Sequence, residues 1–204
     1  MNTDNKNNAS VSSPEGNLRG KKLYTITIFS ENTPGILNQI TIIFTRRQIN
    51  IETLSVSPSS LEGVHKFTIS VQCTADMIEK IIKQIDKRID VIKAYYNVDE
   101  ELVYQEMALY KITTEAILDS EEVESIIRKY NARILEVDRI YTIIEKTGHT
   151  NETQELFEEL NKFKVLEFVR SGRIAVTKSP RERLVDHLNR VEQRRLEMIE
   201  KQVL

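Results

Sequence analysis

The chain is short of several residues on which whole classes of protein depend. It has one cysteine, Cys73, so no internal disulfide can form and a disulfide-stapled secreted domain is excluded. Three histidines, His65, His149 and His187, are dispersed along 204 residues, and no Cys or His pair has metal-ligand spacing. Glycine is scarce, six in all, and none falls in a phosphate-cradling loop. There is no G-x-S-x-G nucleophile elbow and no HExxH pair. No apolar run approaches the ~20 residues needed to span a bilayer, and the first residues lack a signal-peptide core, so a cytoplasmic chain is expected. Nor does one charge dominate: 29 basic residues stand against 31 acidic ones, a net charge of −2. Coating nucleic acid needs a clustered surplus of Lys and Arg, which this balance does not supply.

What is present is enough apolar residue, 40%, to fill a core. At roughly 100–150 residues per domain, the length suits one large domain or two small ones. Residues 1–21 are mostly Asn, Ser, Thr and Gly and read as a disordered tail, unable to bury enough surface to offset ordering entropy. LYTITIF then alternates, with Tyr24, Ile26 and Ile28 on one face and Thr25 and Thr27 on the other, which predicts a strand. After ENTPG, helical spacing of Ile36, Leu37, Ile40, Ile43 and Phe44 predicts about three turns of amphipathic helix. Strands follow over 51–56 and 66–73. Asp76 and Glu79 resemble a capping box for a helix bearing Met77, Ile78, Ile81, Ile82 and Ile85, and 91–98 closes the unit as a strand. The order is βαββαβ.

The order recurs. After an acidic linker over 99–105 come a strand over 106–113 and a helix capped by Asp119 with Glu122. Two strands, 132–137 and 140–145, turn at Asp138-Arg139. A helix with Leu156, Phe157, Leu160 and Phe163 precedes a last strand over 165–169. The expected fold is α+β: two tandem ferredoxin-like βαββαβ units, 22–98 and 106–178, with a C-terminal helical extension over 179–204 that has Pro180 in its first turn. The enzyme inventory is empty by comparison. Cys73 lies on the inward face of a strand, the place of a core cysteine, and the carboxylates fall largely in helical charge runs such as SEEVES and QELFEEL.

One element has ligand-binding chemistry: Asn32-Thr33-Pro34-Gly35, between the first strand and the first helix. Thr33 suits the N-cap and Pro34 the first helical position, while Gly35 lets a ligand approach the backbone. The free N–H groups and the dipole of a helix N-terminus suit a carboxylate. The same spacing also describes an ordinary strand-to-helix turn.

The run from Tyr24 to Pro58, with FSENTPGIL, then FTRRQ, then INIETLSVSP, resembles an ACT domain, the small-ligand module of amino-acid metabolism. More narrowly, it is similar to the regulatory small subunits of acetohydroxyacid synthase, also called acetolactate synthase. DVIKAYYNV, QEMALYKI and VLEFVRSGRIAVTK extend the resemblance to about Lys178, making the second unit an ACT-like C-terminal domain. The resemblance implies a non-catalytic regulatory subunit. It implies a homodimer paired through the ACT domains, with a branched-chain amino acid, typically valine, at the interface. Carried over by position, the effector residues are Asn32, Gly35 and Ile36 of one protomer, with Pro34 in the same loop, Asn50 of its neighbour, and Ser57 nearby. The implied partner is the large catalytic subunit, which would hold thiamine diphosphate and magnesium and condense pyruvate to 2-acetolactate or, with 2-oxobutanoate, to 2-aceto-2-hydroxybutanoate. Three residues depart from the family pattern: Gln48 where glycine is usual, Pro34 for a polar residue, and Ser57 for a small apolar one. A stand-alone amino-acid sensor, for example one controlling transcription, is the rival reading. Its only DNA-facing candidate is the Arg-rich stretch 181–195, with interleaved Asp and Glu. A catalytic ferredoxin-like domain would need an acid–base cluster that the sequence does not display.

Overall fold

A computed structural model describes residues 20–180 and 184–193 of the chain. The expected tail thus lies almost wholly outside the described residues, and the C-terminal extension is described as a helix over 184–193 only.

The first half is built from β1 (Lys22–Glu31), α1 (Ile36–Thr45), β2 (Ile51–Pro58), β3 (Val64–Cys73), α2 (Ala75–Ile85) and β4 (Val91–Asn97). Its strands form one antiparallel sheet in the order β2-β3-β1-β4. Period-two alternation sends Tyr24, Ile26, Ile28, Phe67, Ile69 and Val71 to the face that carries both helices, where Ile40, Ile43, Phe44, Ile78, Ile81 and Ile85 meet them. The opposite face is lined by Thr25, Thr27, Thr68 and Ser70, all buried. The second half has β5 (Leu102–Thr113), α3 (Thr114–Leu118), α4 (Glu121–Lys129), β6 (Arg133–Val137), β7 (Tyr141–Gly148), α5 (Thr150–Asn161), β8 (Glu167–Arg170) and β9 (Ile174–Thr177). Its sheet runs β6-β7-β5-β8, with β9 also on β5. Tyr110 fills the centre of that core and donates from its hydroxyl to the Thr153 carbonyl at 2.6 Å. The α+β fold of two ferredoxin-like units is therefore present, with a C-terminal helix.

Several local expectations are corrected. Helix α1 begins at Ile36, with Gly35 as N-cap, so neither Thr33 nor Pro34 holds its expected cap position. Thr74, not Asp76, precedes α2, and no side chain caps it; Asp76 instead sits in the first turn, where a negative charge meets the helix dipole favourably. Asp119 closes the unforeseen α3 by donating its N–H to the Glu115 carbonyl, and Ser120 caps α4. β5 starts at Leu102, inside the stretch expected as a linker, after a single 3-10 turn at Asp99–Glu101. The strand expected over 165–169 is β8, which pairs with residues 108–111 of β5, and an unforeseen strand, β9, follows it and pairs with residues 102–105.

The two halves join on the helix-free face of the first sheet. Lys66 Nζ donates to the Ala175 carbonyl at 2.9 Å, and Arg173 Nη1 to Thr25 Oγ1 at 3.2 Å. Their contact explains why the hydroxyl-lined face is buried.

Candidate functional site

The loop between β1 and α1 is held at its start by the Asn32 N–H, which donates to the Gly63 carbonyl at 3.1 Å. Gly35 has φ +86°, in the left-handed region, where an L side chain is strained. An added Cβ would meet nothing within 4 Å, so glycine is required by its backbone and not by crowding. No side chain caps α1 and no acidic residue lies in its first turn. The Ile36 N–H reaches only the Thr33 carbonyl, at a long 3.4 Å. Thr33 Oγ1 is buried without a partner among the described residues. Asn32, Pro34 and Gly35 are exposed, while Ile36 is 6% exposed and roots the helix in the core. The outcome is an uncompensated positive helix end with accessible backbone, the electrostatic form of a carboxylate site.

β1 and β2 both run antiparallel to β3, so they point the same way. Ser57, near the end of β2, therefore shares the sheet end that carries the 32–35 loop. Asn50 precedes β2 and lies at the opposite end, seven steps of ~3.3 Å or about 23 Å along the strand from Ser57. Within one chain the structure gathers Asn32, Pro34, Gly35, Ile36 and Ser57 at one end and leaves Asn50 apart. Asn50 sits in a cleft of 520 Å³ with Lys21, Arg47, Gln48 and Thr74 among its lining residues.

Gln48 resolves the missing glycine directly. It takes φ +54° itself, and the turn closes with Ile49 N–H to Phe44 O at 3.1 Å and Gln48 N–H to Thr45 O at 3.0 Å. That is the paired bonding of a Schellman cap. Asn131, with φ +50°, repeats it after α4, which marks the two halves as structural repeats.

Two charged residues that the sequence reading passed over line a second cleft, of 530 Å³, between the halves. Glu106, 3% exposed, accepts from Thr153 Oγ1 at 2.7 Å and Thr150 Oγ1 at 3.1 Å, with Arg170 at 3.5 Å. Arg173, 5% exposed, pairs with Asp99 at 2.8 Å and lies 4.0 Å from the Tyr104 ring. A carboxylate on the inward side of an alternating strand was the available signal for Glu106; nothing local marks Arg173. Burial pushes the Cys73 thiol up, with Lys21 acting weakly against it, and pushes the Lys66 ammonium down. Among the described residues no group of three or more His, Cys, Asp or Glu is placed to hold a metal ion, and no helix is long and apolar enough to cross a membrane.

Known proteins match both halves. Residues 26–93 fit a family described as an AHAS small subunit-like ACT domain, and residues 105–179 a family described as the small subunit of acetolactate synthase. The acetolactate synthase small subunit of Mycobacterium leprae is 31% identical over 162 residues, covering 79% of this chain and 95% of that one. The Bacillus subtilis small subunit is 30% identical over 164 residues, covering 80% and 94%. The crystal structure of the Thermotoga maritima small subunit superposes with a TM-score of 0.71 at 27% identity, covering 78% of this chain and 99% of that one.

Proposed function

The chain belongs to the family of acetolactate synthase small subunits, and from that premise we propose that it is a regulatory subunit. In this reading it binds the thiamine-diphosphate-dependent catalytic subunit, raises its activity and makes it inhibitable by valine. Thiamine diphosphate and magnesium are the partner's, and the pair works in the cytoplasm. The observation that carries the effector site is the uncompensated N-terminus of α1 beside an exposed Asn32 and Gly35. Such an end offers backbone N–H groups to a carboxylate. An Asn Oδ1 can accept from the ammonium, and an apolar wall beside them can select the side chain.

Because Asn50 lies at the far end of β2, it joins this site only from a second copy. β2 is an outer strand of the first sheet, so a two-fold axis at that edge and perpendicular to the strand would bring Asn50 of one protomer to the sheet end that carries the 32–35 loop of the other. Complementation tests this arrangement. Gly35→Asp and Asn50→Ala homodimers should each fail to bind valine in calorimetry, and their mixture should recover one site per heterodimer. Native affinity in the Asn50→Ala homodimer would remove Asn50 from the site.

A further inference from the structure

The strand that follows Asn50 and carries Ser57 also bears on the second half. Between Asn50 and Ser57, β2 passes directly over Gly172. A Cβ at Gly172 would lie 2.9 Å from the Leu54 carbonyl oxygen and 3.1 Å from its carbon, closer than side chains tolerate. Backbone therefore rests on backbone. The next residue, Arg173, ties three places together: Thr25 on β1, Asp99 in the connecting turn, and the Tyr104 ring on β5. In the other direction, Ser171 Oγ accepts from the Met107 N–H at 2.9 Å, and Arg170 meets Glu106, which holds Thr150 and Thr153 at the start of α5. Residues 170–173 thus form an unbroken run of contacts from β2 to the central strand and a helix of the second half.

The surface they cross is suited to movement. It is lined by the hydroxyl residues Thr25, Thr27, Thr68 and Ser70, and Asn97 Oδ1, buried on the same face, has no partner among the described residues. Polar interfaces between halves adhere weakly compared with an apolar core, and a polar network with an unmet acceptor is one that another arrangement can satisfy.

Resting on the reading of the α1 N-terminus, with Asn50 and Ser57 at the two ends of β2, as the effector site, we propose that residues 170–173 are the coupling element, through which an amino acid bound there sets the state of the second half. Gly172 supplies close contact and Arg173 a rigid, forked tether, which lysine cannot reproduce.

Hydrogen exchange of the full chain, read at the core amides of Ile69 and Ile144, tests this in the wild type, Gly172→Ala and Arg173→Lys. Valine at 100 times its Kd should protect both amides by about 100-fold in the wild type. In the variants, valine affinity by calorimetry should stay within twofold and Ile69 should keep its protection, while the gain at Ile144 falls at least tenfold. Should Gly172→Ala fail to fold, Arg173→Lys carries the comparison. Protection confined to Ile69 in the wild type, or variants that protect Ile144 as the wild type does, would overturn the coupling and leave the effector reading standing. If no branched-chain amino acid binds, the effector reading fails instead, and a denaturant series on the same amides decides. A common opening in the wild type that splits tenfold in the variants supports coupling; independent openings in the wild type overturn it.

Discussion

Helix α1 is bracketed by two residues in the left-handed region, Gly35 at +86° and Gln48 at +54°, and only the first is glycine. That asymmetry sets two opposite predictions. At Gly35, any L side chain costs about 1–2 kcal/mol of backbone strain, partly offset for aspartate by about 0.3–1 kcal/mol from the helix dipole. Gly35→Asp should thus lose roughly 1 kcal/mol of stability in denaturant unfolding. It should also abolish valine binding, since two carboxylates ~4 Å apart repel by about 4 kcal/mol at an effective dielectric near 20. Gly35→Ala carries the strain without the charge and should keep measurable binding; equal loss in both would assign the effect to strain alone. At Gln48, which is exposed, replacement by glycine removes the strain and little packing. Gln48→Gly should raise the unfolding free energy by about 0.5–1 kcal/mol. A decrease would show that the glutamine side chain contributes more than its conformation costs. The sequence marked both positions as special but could not reveal their φ, and it made Gly35 a residue inside the helix instead of its cap.

At the scale of elements, alternation placed β1 and β3, whose apolar faces lie in the core while the other face carries hydroxyl groups, and β-branched, apolar content placed β2, which has no fully buried residue. What these signals missed were choices between neighbours. Asp119 and Ser120 are both good caps, and only the short α3 decides between them, since Asp119 is occupied in closing it. Ser120 Oγ accepts from the Glu122 N–H at 3.2 Å. Ser120→Ala should therefore cost about 1 kcal/mol in urea unfolding, and Asp119→Ala clearly less. The reverse ranking would return the cap to Asp119. The additional strand β9 was equally hidden: its four residues are a strand because they pair with the first part of β5, a long-range pairing that no local pattern encodes. Lys164, at φ +62°, also bends the chain just before β8, so the strand expected from 165 starts at Glu167.

For the whole molecule, the repeat of βαββαβ units was enough to read the architecture, while Asn32, Pro34, Gly35, Ile36, Asn50 and Ser57 came as effector candidates from the resemblance carried by the ENTPGIL and NIETLSVSP motifs. Their division between two ends of β2 was not legible, because it depends on strand direction in the assembled sheet. Nor was the junction of the halves, where Glu106 and Arg173 are single charges whose partners come from distant segments. The central claim is regulation of a separate catalytic chain, and one titration tests it most directly. The chain is added in increasing ratio to its cognate catalytic subunit, with and without valine, while acetolactate formation is followed. The rate should rise to a plateau at a fixed stoichiometry, fall when valine is added to the saturated complex, and be absent from the isolated chain. A rate that ignores the chain, an activated complex that ignores valine, or acetolactate made by the isolated chain would contradict the account.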